Sequence, residues 1–281
     1  MVFDASAKTN NGMSLNDALM VGPTTQDTLF SHLIRFRTYN YVITTDIERM
    51  YRQVLLHEDD RRYQRFLRHV DGRVKTFQLN TLTFGVSPSS FLAIRVLQKL
   101  AEDERHEYPR SAEILTTHLY ADNLLSGADT IIGARAVRNE IIALLKRGGF
   151  SRRQRASNDE RVINDLASNA LHTKLVLNVD RSVKTLGITW NTRDDQMHYA
   201  VRPIEITQRL TKRNILSEIA KIFDPIGLLG PIILYAKRLM QDIWRSGLQW
   251  DESVPQDIYT EWKEFVRQLE SINRFTLNVN C

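Results

Sequence analysis

The sequence predicts an α+β fold, and three patterns support this prediction. First, residues 41–46 form a run rich in β-branched and aromatic side chains that ends in an acid. Second, Asp71-Gly72 separates two further strand-like runs, as in a two-residue β-hairpin. Third, apolar residues recur with helical spacing at 88–107 and 130–147. A second hairpin is predicted with Asp122 at its turn and the apolar runs 115–119 and 124–125 as its strands. With it, the order becomes strand-helix-strand-strand-helix-strand, which is typical of α+β proteins.

Further elements are predicted on both sides of this core. Residues 25–36 have helical spacing before the first strand, and residues 58–63 form a short helical turn. Ser87-Pro88 should cap and open the helix that follows. Gly148-Gly149 should end the helix that begins at Thr130.

The C-terminal part is predicted to contain two strands and three helices. The strands, 184–190 and 197–201, flank the turn Asp194-Asp195. The three helices each have an apolar face. Their apolar positions are Ile215, Ile219, Ile222 and Phe223 in the first, Ile232, Ala236, Leu239, Ile243 and Trp244 in the second, and Ile258, Trp262, Phe265 and Leu269 in the third.

Composition and charge favour a globular protein with a polyanionic partner. The chain has 281 residues, 42% hydrophobic and 25% charged, which is enough for two subdomains that share a core. Arginines outnumber lysines 28 to 10, and basic residues cluster at 49–75 and 146–161. Each cluster alone could be a solvated surface, but together they favour phosphate contacts.

Several classes of protein are not supported by the sequence. No apolar run is long enough to span a bilayer, and the first residues lack the pattern of a secretory signal. Cys281 is the only cysteine, so an internal disulfide and a cysteine-based zinc site are excluded. An intracellular location without a membrane partner is expected; the choice between cytoplasm and nucleus, and the oligomeric state, stay open.

Two acids mark the candidate chemistry. Asp46 ends the first strand, and Asp122 lies in the hairpin Tyr120-Ala121-Asp122-Asn123. Adjacent strands could bring both carboxylates to one edge of a sheet, where they could hold two Mg²⁺ about 4 Å apart for a phosphoryl transfer. Alternatively, each acid is a turn residue or a helix cap, because Asp and Asn are common at both.

A series of ordered blocks resembles the reverse transcriptase region of BEL/Pao-type LTR retrotransposon polyproteins, with the following segment that is often catalogued as Pao retrotransposon peptidase. The likeness spans nearly the whole chain. The blocks are Val2-Phe3-Asp4-Ala5-Ser6-Ala7-Lys8, Ser14-Leu15-Asn16-Asp17, Asp46-Ile47-Glu48-Arg49-Met50-Tyr51-Arg52-Gln53, Tyr63-Gln64-Arg65-Phe66, Phe84-Gly85-Val86, the Tyr120 hairpin, Gly148-Gly149-Phe150, Lys184-Thr185-Leu186-Gly187, and 217–229.

The resemblance implies both a fold and an activity. The fold would be a right-hand palm with a ferredoxin-like core and partial fingers over residues 1–155, followed by a helical thumb/connection tail over 156–281. The activity would be two-metal, RNA-directed DNA synthesis by a nucleotidyltransferase of a transposable element. The implied cofactor is Mg²⁺, or alternatively Mn²⁺, and the implied partners are an RNA or DNA template-primer and deoxynucleoside triphosphates.

The resemblance also implies site residues. Tyr51 would be a gate that clashes with a 2′-hydroxyl, and Gly85 would let the backbone approach the incoming nucleotide; Tyr51 and Phe84 could equally be core aromatics. The implied catalytic residues are Asp46, Asp122 and the degenerate Asn123, and the implied metal ligands are Asp46, the Ile47 carbonyl and Asp122. The implied nucleotide-binding residues are Ile47, Tyr51, Phe84 and Gly85. The implied primer grip consists of Lys184, Leu186 and Gly187.

Four departures from the family pattern affect the expected function. Asn123 replaces an acid, and Mg²⁺ prefers carboxylates. The stretch 152–155 lacks an expected lysine, and neither the upstream basic residues of the fingers nor protease, RNase H and integrase regions are recognised. We therefore expect a truncated, impaired polymerase segment. The alternative is a non-catalytic nucleic-acid-binding remnant or a co-opted fragment of a retroelement.

The C-terminal region does not resemble an aspartic peptidase, despite its usual catalogue name. Such an enzyme needs an Asp-Thr/Ser-Gly turn, and Asp129-Thr130 is followed by Ile131 instead. The region is therefore interpreted as the connection after the thumb.

Overall fold

A computed structural model of the chain describes residues 4–166, 182–185, 188–199, 203–205, 209–224, 226–274 and 276–277. The chain divides into two compact units, Met1–Leu177 and Asn178–Cys281. The sequence-based boundary after residue 155 lies inside the first unit. Assignment of the units to fingers and palm, and to thumb and connection, stays a prediction.

The first unit contains a four-stranded sheet, a separate hairpin and six helices among its described residues. A short 3₁₀ helix, Met50–Gln53, follows the first strand. The elements are α1 (Leu15–Ala18), α2 (Leu29–Arg37), β1 (Tyr41–Ile47), α3 (Glu58–Arg61), β2 (Arg65–Val70), β3 (Arg73–Gln78), α4 (Ser89–Asp103), α5 (Pro109–Thr117), β4 (Leu119–Tyr120), β5 (Asn123–Ala128), α6 (Ile131–Arg147) and β6 (Arg152–Ser157).

The four-stranded sheet has the order β4-β5-β1-β6, and β1 pairs antiparallel with both β5 and β6. Apolar residues of β1 and β5 are buried against the helices α4, α5 and α6, because alternate strand positions point to one face. Leu97, Leu124 and Leu144 are completely buried in this core. The predicted order of strands and helices is thus confirmed, and it places β1 beside the β4–β5 hairpin.

The prediction that residues 115–119 form a hairpin strand is wrong. Helix α5 occupies most of that span, and only Leu119 and Tyr120 are extended. Pro109 opens the helix because its fixed φ suits the first helical turn. Ala112 and Leu115, three residues apart, are buried on one face of the helix, so their apolar character reflects helical rather than strand packing.

Other local predictions are confirmed or corrected by backbone geometry. Asp71 and Gly72 both have positive φ, 52° and 72°, in the two-residue turn between β2 and β3. The helix predicted from Thr130 is confirmed as α6, and the Thr130 side chain caps it by accepting from the Gly133 N–H. Ser87 does not cap α4: Pro88 takes the N-cap position, and the Ser87 N–H donates to the Asn16 side chain at 2.9 Å.

The second unit contains a four-stranded antiparallel sheet and three helices among its described residues. The strands β7 to β10 lie in the order β10-β9-β8-β7. The elements are β7 (Ser182–Thr185), β8 (Ile188–Asn191), β9 (Gln196–His198), α7 (Lys212–Ile219), α8 (Gly230–Arg245), α9 (Gln256–Leu269) and β10 (Thr276–Leu277). No helix in the described ranges is both long and apolar enough to cross a membrane.

The predicted single strand at 184–190 is wrong. Two strands, β7 and β8, pair antiparallel there, and Thr185 faces Ile188 across the pair. Val183 of β7 lies opposite Trp190 of β8 and both are buried, so the buried positions change from odd to even numbers, as expected for two strands and not for one. Of the second predicted strand, 197–201, the first two residues lie in a strand that spans Gln196–His198, and residues 200 and 201 lie outside the described residues.

The three C-terminal helices are confirmed, but two aromatic positions differ from prediction. Ile215, Leu239 and Trp262 are buried in the core that the helices share. Phe223 is 58% exposed because α7 ends at Ile219, before it. Trp244 is 48% exposed and packs edge-on against Trp250 instead.

Candidate active site

The β4–β5 hairpin brings Asp122 next to Asp46. In the register of β1 with β5, Asp46 pairs with Asn123, the first residue after the turn. The Ile47 N–H donates to the Asp122 carbonyl at 2.9 Å, which ties the turn to the end of β1. Ile47 itself is completely buried, whereas both aspartates are half-buried. The predicted pair of acids therefore lies at one edge of the sheet.

The electrostatics of Asp46 indicate two acids in close proximity. Burial raises the pKa of Asp46 to about 6, and the negative charges of Asp122 and Glu48 contribute. Desolvation and a like charge both disfavour the ionised carboxylate. The ionised pair is therefore unfavourable unless a cation neutralises it.

Asn123 contacts the same site through its amide. Its Nδ2 donates to Asp122 Oδ1 at 2.9 Å. The amide thus satisfies one carboxylate oxygen, whereas an acid at this position would add a third negative charge beside those of Asp46 and Asp122. In the described ranges, no group of three or more His, Cys, Asp or Glu is arranged to hold a metal ion. The site consequently offers two carboxylates instead of three.

We expect Asp46→Asn to stabilise the metal-free protein. The substitution removes a charge whose burial is unfavourable, and the gain should be about 1–2 kcal/mol after allowance for solvent screening. The pKa of Asp46 is about 6 in the folded protein, above its ordinary value of 3.8. The free-energy cost of burying the Asp46 charge is therefore complete above about pH 6. It disappears below the pKa of Asp46 in the unfolded chain, where the carboxyl is neutral in both the folded and the unfolded protein.

Thermal unfolding in a chelator between pH 4 and pH 8 measures this effect. The difference between Asp46→Asn and the unmodified chain should grow as the pH rises through about 6. Asp60→Asn is the matched control, because Asp60 is exposed and should change stability little. A gain that is the same at pH 4 and pH 8 would contradict the electrostatic explanation.

The residues implied to bind the nucleotide form a second group. Tyr51 lies in the 3₁₀ helix, and its hydroxyl is 2.8 Å from Ser90 Oγ on α4. Phe84 packs edge-on against the Tyr51 ring, with centroids 4.6 Å apart, and is half exposed. Gly85 has a φ of 93°, which favours glycine, and its carbonyl accepts from Asn16 Nδ2 at 3.0 Å.

A pocket of about 380 Å³ lies between Tyr51 and the hairpin that carries Asp122. Its lining includes Tyr51 from one group and Tyr120 and Ala121 from the hairpin. Tyr51 packs against the core, as the alternative of a core aromatic requires, but it also lines the pocket.

The predicted primer grip does not belong to the first unit. Lys184 lies in β7 of the second unit, opposite Thr189. Leu186 and Gly187 lie outside the described residues. Their role at the site stays a prediction.

Two glutamines that support the site were not predicted. Gln26 is bonded to the backbone of the hairpin on both sides of Tyr120: its Nε2 donates to the Leu119 carbonyl at 2.8 Å, and its Oε1 accepts from the Ala121 N–H at 3.2 Å. Gln53 bonds to the Glu48 carbonyl, and its Oε1 accepts from the Ser151 N–H at 2.6 Å. Gln26 lies in an irregular segment, and Gln53 belongs to the block 46–53 but has no pattern that marks these contacts, so only the structure finds them.

The basic cluster 49–75 surrounds an exposed hairpin. Arg52, Arg65, Arg68 and Arg73 are exposed and have no ion pair in the part of the chain that the structure describes. In the cluster 146–161, by contrast, Arg147 pairs with Glu104 and Arg161 pairs with Asp159. The first cluster therefore offers more uncompensated positive charge among the described side chains.

Comparison with known proteins agrees with this geometry. The family model described as reverse transcriptase (RNA-dependent DNA polymerase) matches residues 7–188, well over half of the chain. The chain belongs to the reverse transcriptase family. A second model, described as Pao retrotransposon-like RNaseH-like domain, matches residues 211–279. Together they identify the chain as the reverse transcriptase region of a Pao/BEL-type retrotransposon polyprotein.

The second match concerns the tail of this reverse transcriptase region. No RNase H region was recognised in the sequence, whereas the matching model is described as RNaseH-like. The assignment of residues 156–281 to the thumb and connection stays a prediction.

Solved structures show the same fold at low identity. A foamy viral protease-reverse transcriptase in complex with double-stranded DNA matches with a TM-score of 0.60 and 14% identity, over 99% of this chain and 42% of that chain. The same type of protein in complex with an RNA/DNA hybrid gives a TM-score of 0.57 and 14% identity, over 90% and 30%. This reverse transcriptase region thus spans about two-fifths or less of the length of either structure. No curated protein sequence matches it significantly.

Proposed function

We propose that this chain is an RNA-directed DNA polymerase segment that uses Asp46 and Asp122 to hold two divalent cations. The observation that carries the proposal is the register of β1 with the hairpin, which brings the two acids together at a half-buried sheet edge. The raised pKa of Asp46 supports it: burial is the main cause, Asp122 and Glu48 add repulsion, and a bound cation would favour the ionised carboxylate against both.

The residues present fit Mg²⁺ or Mn²⁺ in the chemistry of their donor atoms. Carboxylate and carbonyl oxygens are the ligands that Mg²⁺ prefers, and Asp46, Asp122 and the Ile47 carbonyl would supply them. When bound, such ions lower the pKa of an attacking hydroxyl and neutralise charge on a triphosphate. The protein's own part is to fix the two carboxylates through the register of β1 and the Ile47-to-Asp122 hydrogen bond.

Tyr51 and Phe84 are proposed to select and orient a deoxynucleoside triphosphate. The Tyr51 ring is held from two sides, by Ser90 and by Phe84, beside the pocket that reaches the hairpin. A ring fixed in this way would clash with a ribose 2′-hydroxyl, which distinguishes ribonucleotides from deoxynucleotides. Gly85 lets the backbone approach a phosphate closely. The RNA or DNA template-primer would follow the basic surface around the β2–β3 hairpin.

One observation favours a second function, a non-catalytic module that binds nucleic acid. The Asn123 amide satisfies Asp122 directly, so the acid pair is partly compensated without any cation. In that case the basic surface would still bind a polyanion, but the chain would not synthesise DNA.

Primer extension with purified protein separates the two functions. The chain should extend a DNA primer on an RNA template with Mg²⁺ or Mn²⁺, and Asp46→Asn should abolish extension while leaving template-primer binding within about twofold. Asp60→Asn is the control for a loss of charge away from the site. Binding without extension by the unmodified chain and by its Asn123→Asp variant would favour the non-catalytic module.

A further inference from the structure

The outer edge of the hairpin is bonded by side chains rather than by a strand. β4 is the edge strand of the sheet, so one row of its backbone groups has no strand partner. Three backbone groups two residues apart, at the end of α5, in β4 and in the turn, are nevertheless satisfied. The Thr117 carbonyl accepts from Arg35 Nη1, the Leu119 carbonyl accepts from Gln26 Nε2, and the Ala121 N–H donates to Gln26 Oε1.

Gln26 copies the hydrogen bonding of a neighbouring strand. A primary amide carries both a donor and an acceptor, as a backbone residue does. In a parallel pair, the N–H and C=O of one residue bond to the carbonyl of one residue and to the N–H of the second residue along on the other strand. Gln26 therefore makes with one side chain the two hydrogen bonds that one residue of a parallel strand would make next to the turn.

This contact is anchored to two helices. Gln98 of α4 donates to the Thr25 carbonyl at 3.3 Å, next to Gln26. On the other side, Thr28 caps α2, and Arg35 of α2 pairs with Asp27 at 2.9 Å. The segment that carries Gln26 is thus held at both ends by secondary structure.

The turn that Gln26 contacts has an unusual backbone. Ala121 has a φ of 52°, in the left-handed region that residues with a Cβ rarely adopt. Such a conformation persists only when its surroundings fix it. Asp122 follows immediately, so the direction of its side chain depends on how Ala121 is held.

We propose that Gln26, supported by Arg35, is a positioning residue that holds Ala121 in this conformation and thereby aims Asp122 at the cation site. The role of Asp122 rests on the proposed function, whereas the hold on Ala121 does not. Gln26→Met keeps the length of the side chain and removes both hydrogen bonds. Gln26→Glu keeps the acceptor for the Ala121 N–H but loses the donor to Leu119.

The experiment combines hydrogen exchange with Mn²⁺ binding. Exchange of the Ala121 amide, resolved by NMR without metal, should become at least about tenfold faster in Gln26→Met, because the amide loses its acceptor. Mn²⁺ affinity, measured by electron paramagnetic resonance, should fall about 10- to 100-fold, as is usual when a residue that orients a ligand is changed. Gln26→Glu should lie between Gln26→Met and the unmodified chain in both measurements.

Gln78→Met is the control, because it makes the same substitution at an exposed residue of the separate β2–β3 hairpin. It should leave both the exchange of Ala121 and the Mn²⁺ affinity unchanged. If the Ala121 amide exchanges at the same rate in Gln26→Met, Gln26 does not hold Ala121. If the exchange is faster but the Mn²⁺ affinity is unchanged, the conformation of Ala121 does not position Asp122. Failure of the unmodified chain to bind Mn²⁺ would instead count against the proposed function, and the exchange data would still decide the hold on Ala121.

Discussion

Asn123→Asp should raise the rate of primer extension about 10²- to 10⁴-fold with Mg²⁺. A site for two dications that lacks one carboxylate loses much of the effect of one metal, which is several kcal/mol of transition-state stabilisation. The substitution also removes the amide that donates to Asp122 Oδ1, so this oxygen becomes free to bind a cation. Both changes act in the same direction.

The comparison needs variants of one protein, assayed side by side with Mg²⁺ and with Mn²⁺. Asn80→Asp adds the same charge at an exposed residue and should leave the rate unchanged. The double variant Asp46→Asn/Asn123→Asp should be inactive, because the first acid is still required. Mn²⁺ should reduce the gap between the unmodified chain and Asn123→Asp, because it tolerates a looser set of ligands. Equal rates for these two proteins would show that the second acid is dispensable here.

The sequence predicts the central fold because short-range patterns determine it. The strand 41–46, the Asp71-Gly72 turn and the helix from 130 to 147 each have a local cause: β-branched residues, a turn pair with positive φ, and a cap at each end. Leu115 was misassigned because a short apolar run fits a buried helix as well as a strand.

The candidate site could be predicted only in part, because some of its contacts depend on tertiary packing and not on local patterns. Asp46, Asp122 and Tyr51 carry a family pattern, and the structure brings the two acids together and places Tyr51 on the neighbouring pocket. Gln26 bonds to residues more than ninety positions later in the chain. A contact of this kind depends on tertiary packing, and no local pattern in a single sequence encodes it.

The affinity of the chain for a template-primer should depend steeply on salt. The β2–β3 hairpin presents Phe66 stacked on Phe77, with centroids 5.7 Å apart. The register places Arg68 opposite Lys75 and Val70 opposite Arg73, so Arg68, Arg73 and Lys75 share the face of the two aromatic rings. Six to ten phosphate contacts would cost about 10³- to 10⁵-fold in affinity between 50 and 200 mM salt, because each contact releases counterions.

The charge on the β2–β3 hairpin, rather than the net charge of the chain, should determine how steeply the affinity falls with salt. The double variant Arg68→Gln/Arg73→Gln removes two cations that have no ion pair in the described part of the chain. Each lost phosphate contact should reduce the slope of log K against log salt by about 0.9. The control Arg95→Gln/Arg267→Gln lowers the net charge of +5 by the same two units, but Arg95 and Arg267 are already paired with Glu102 and Glu264. Its slope should stay within about 0.3 of the unmodified value. Equal slopes for the two double variants would mean that binding follows the overall charge, and the hairpin would then not be the surface that holds the nucleic acid.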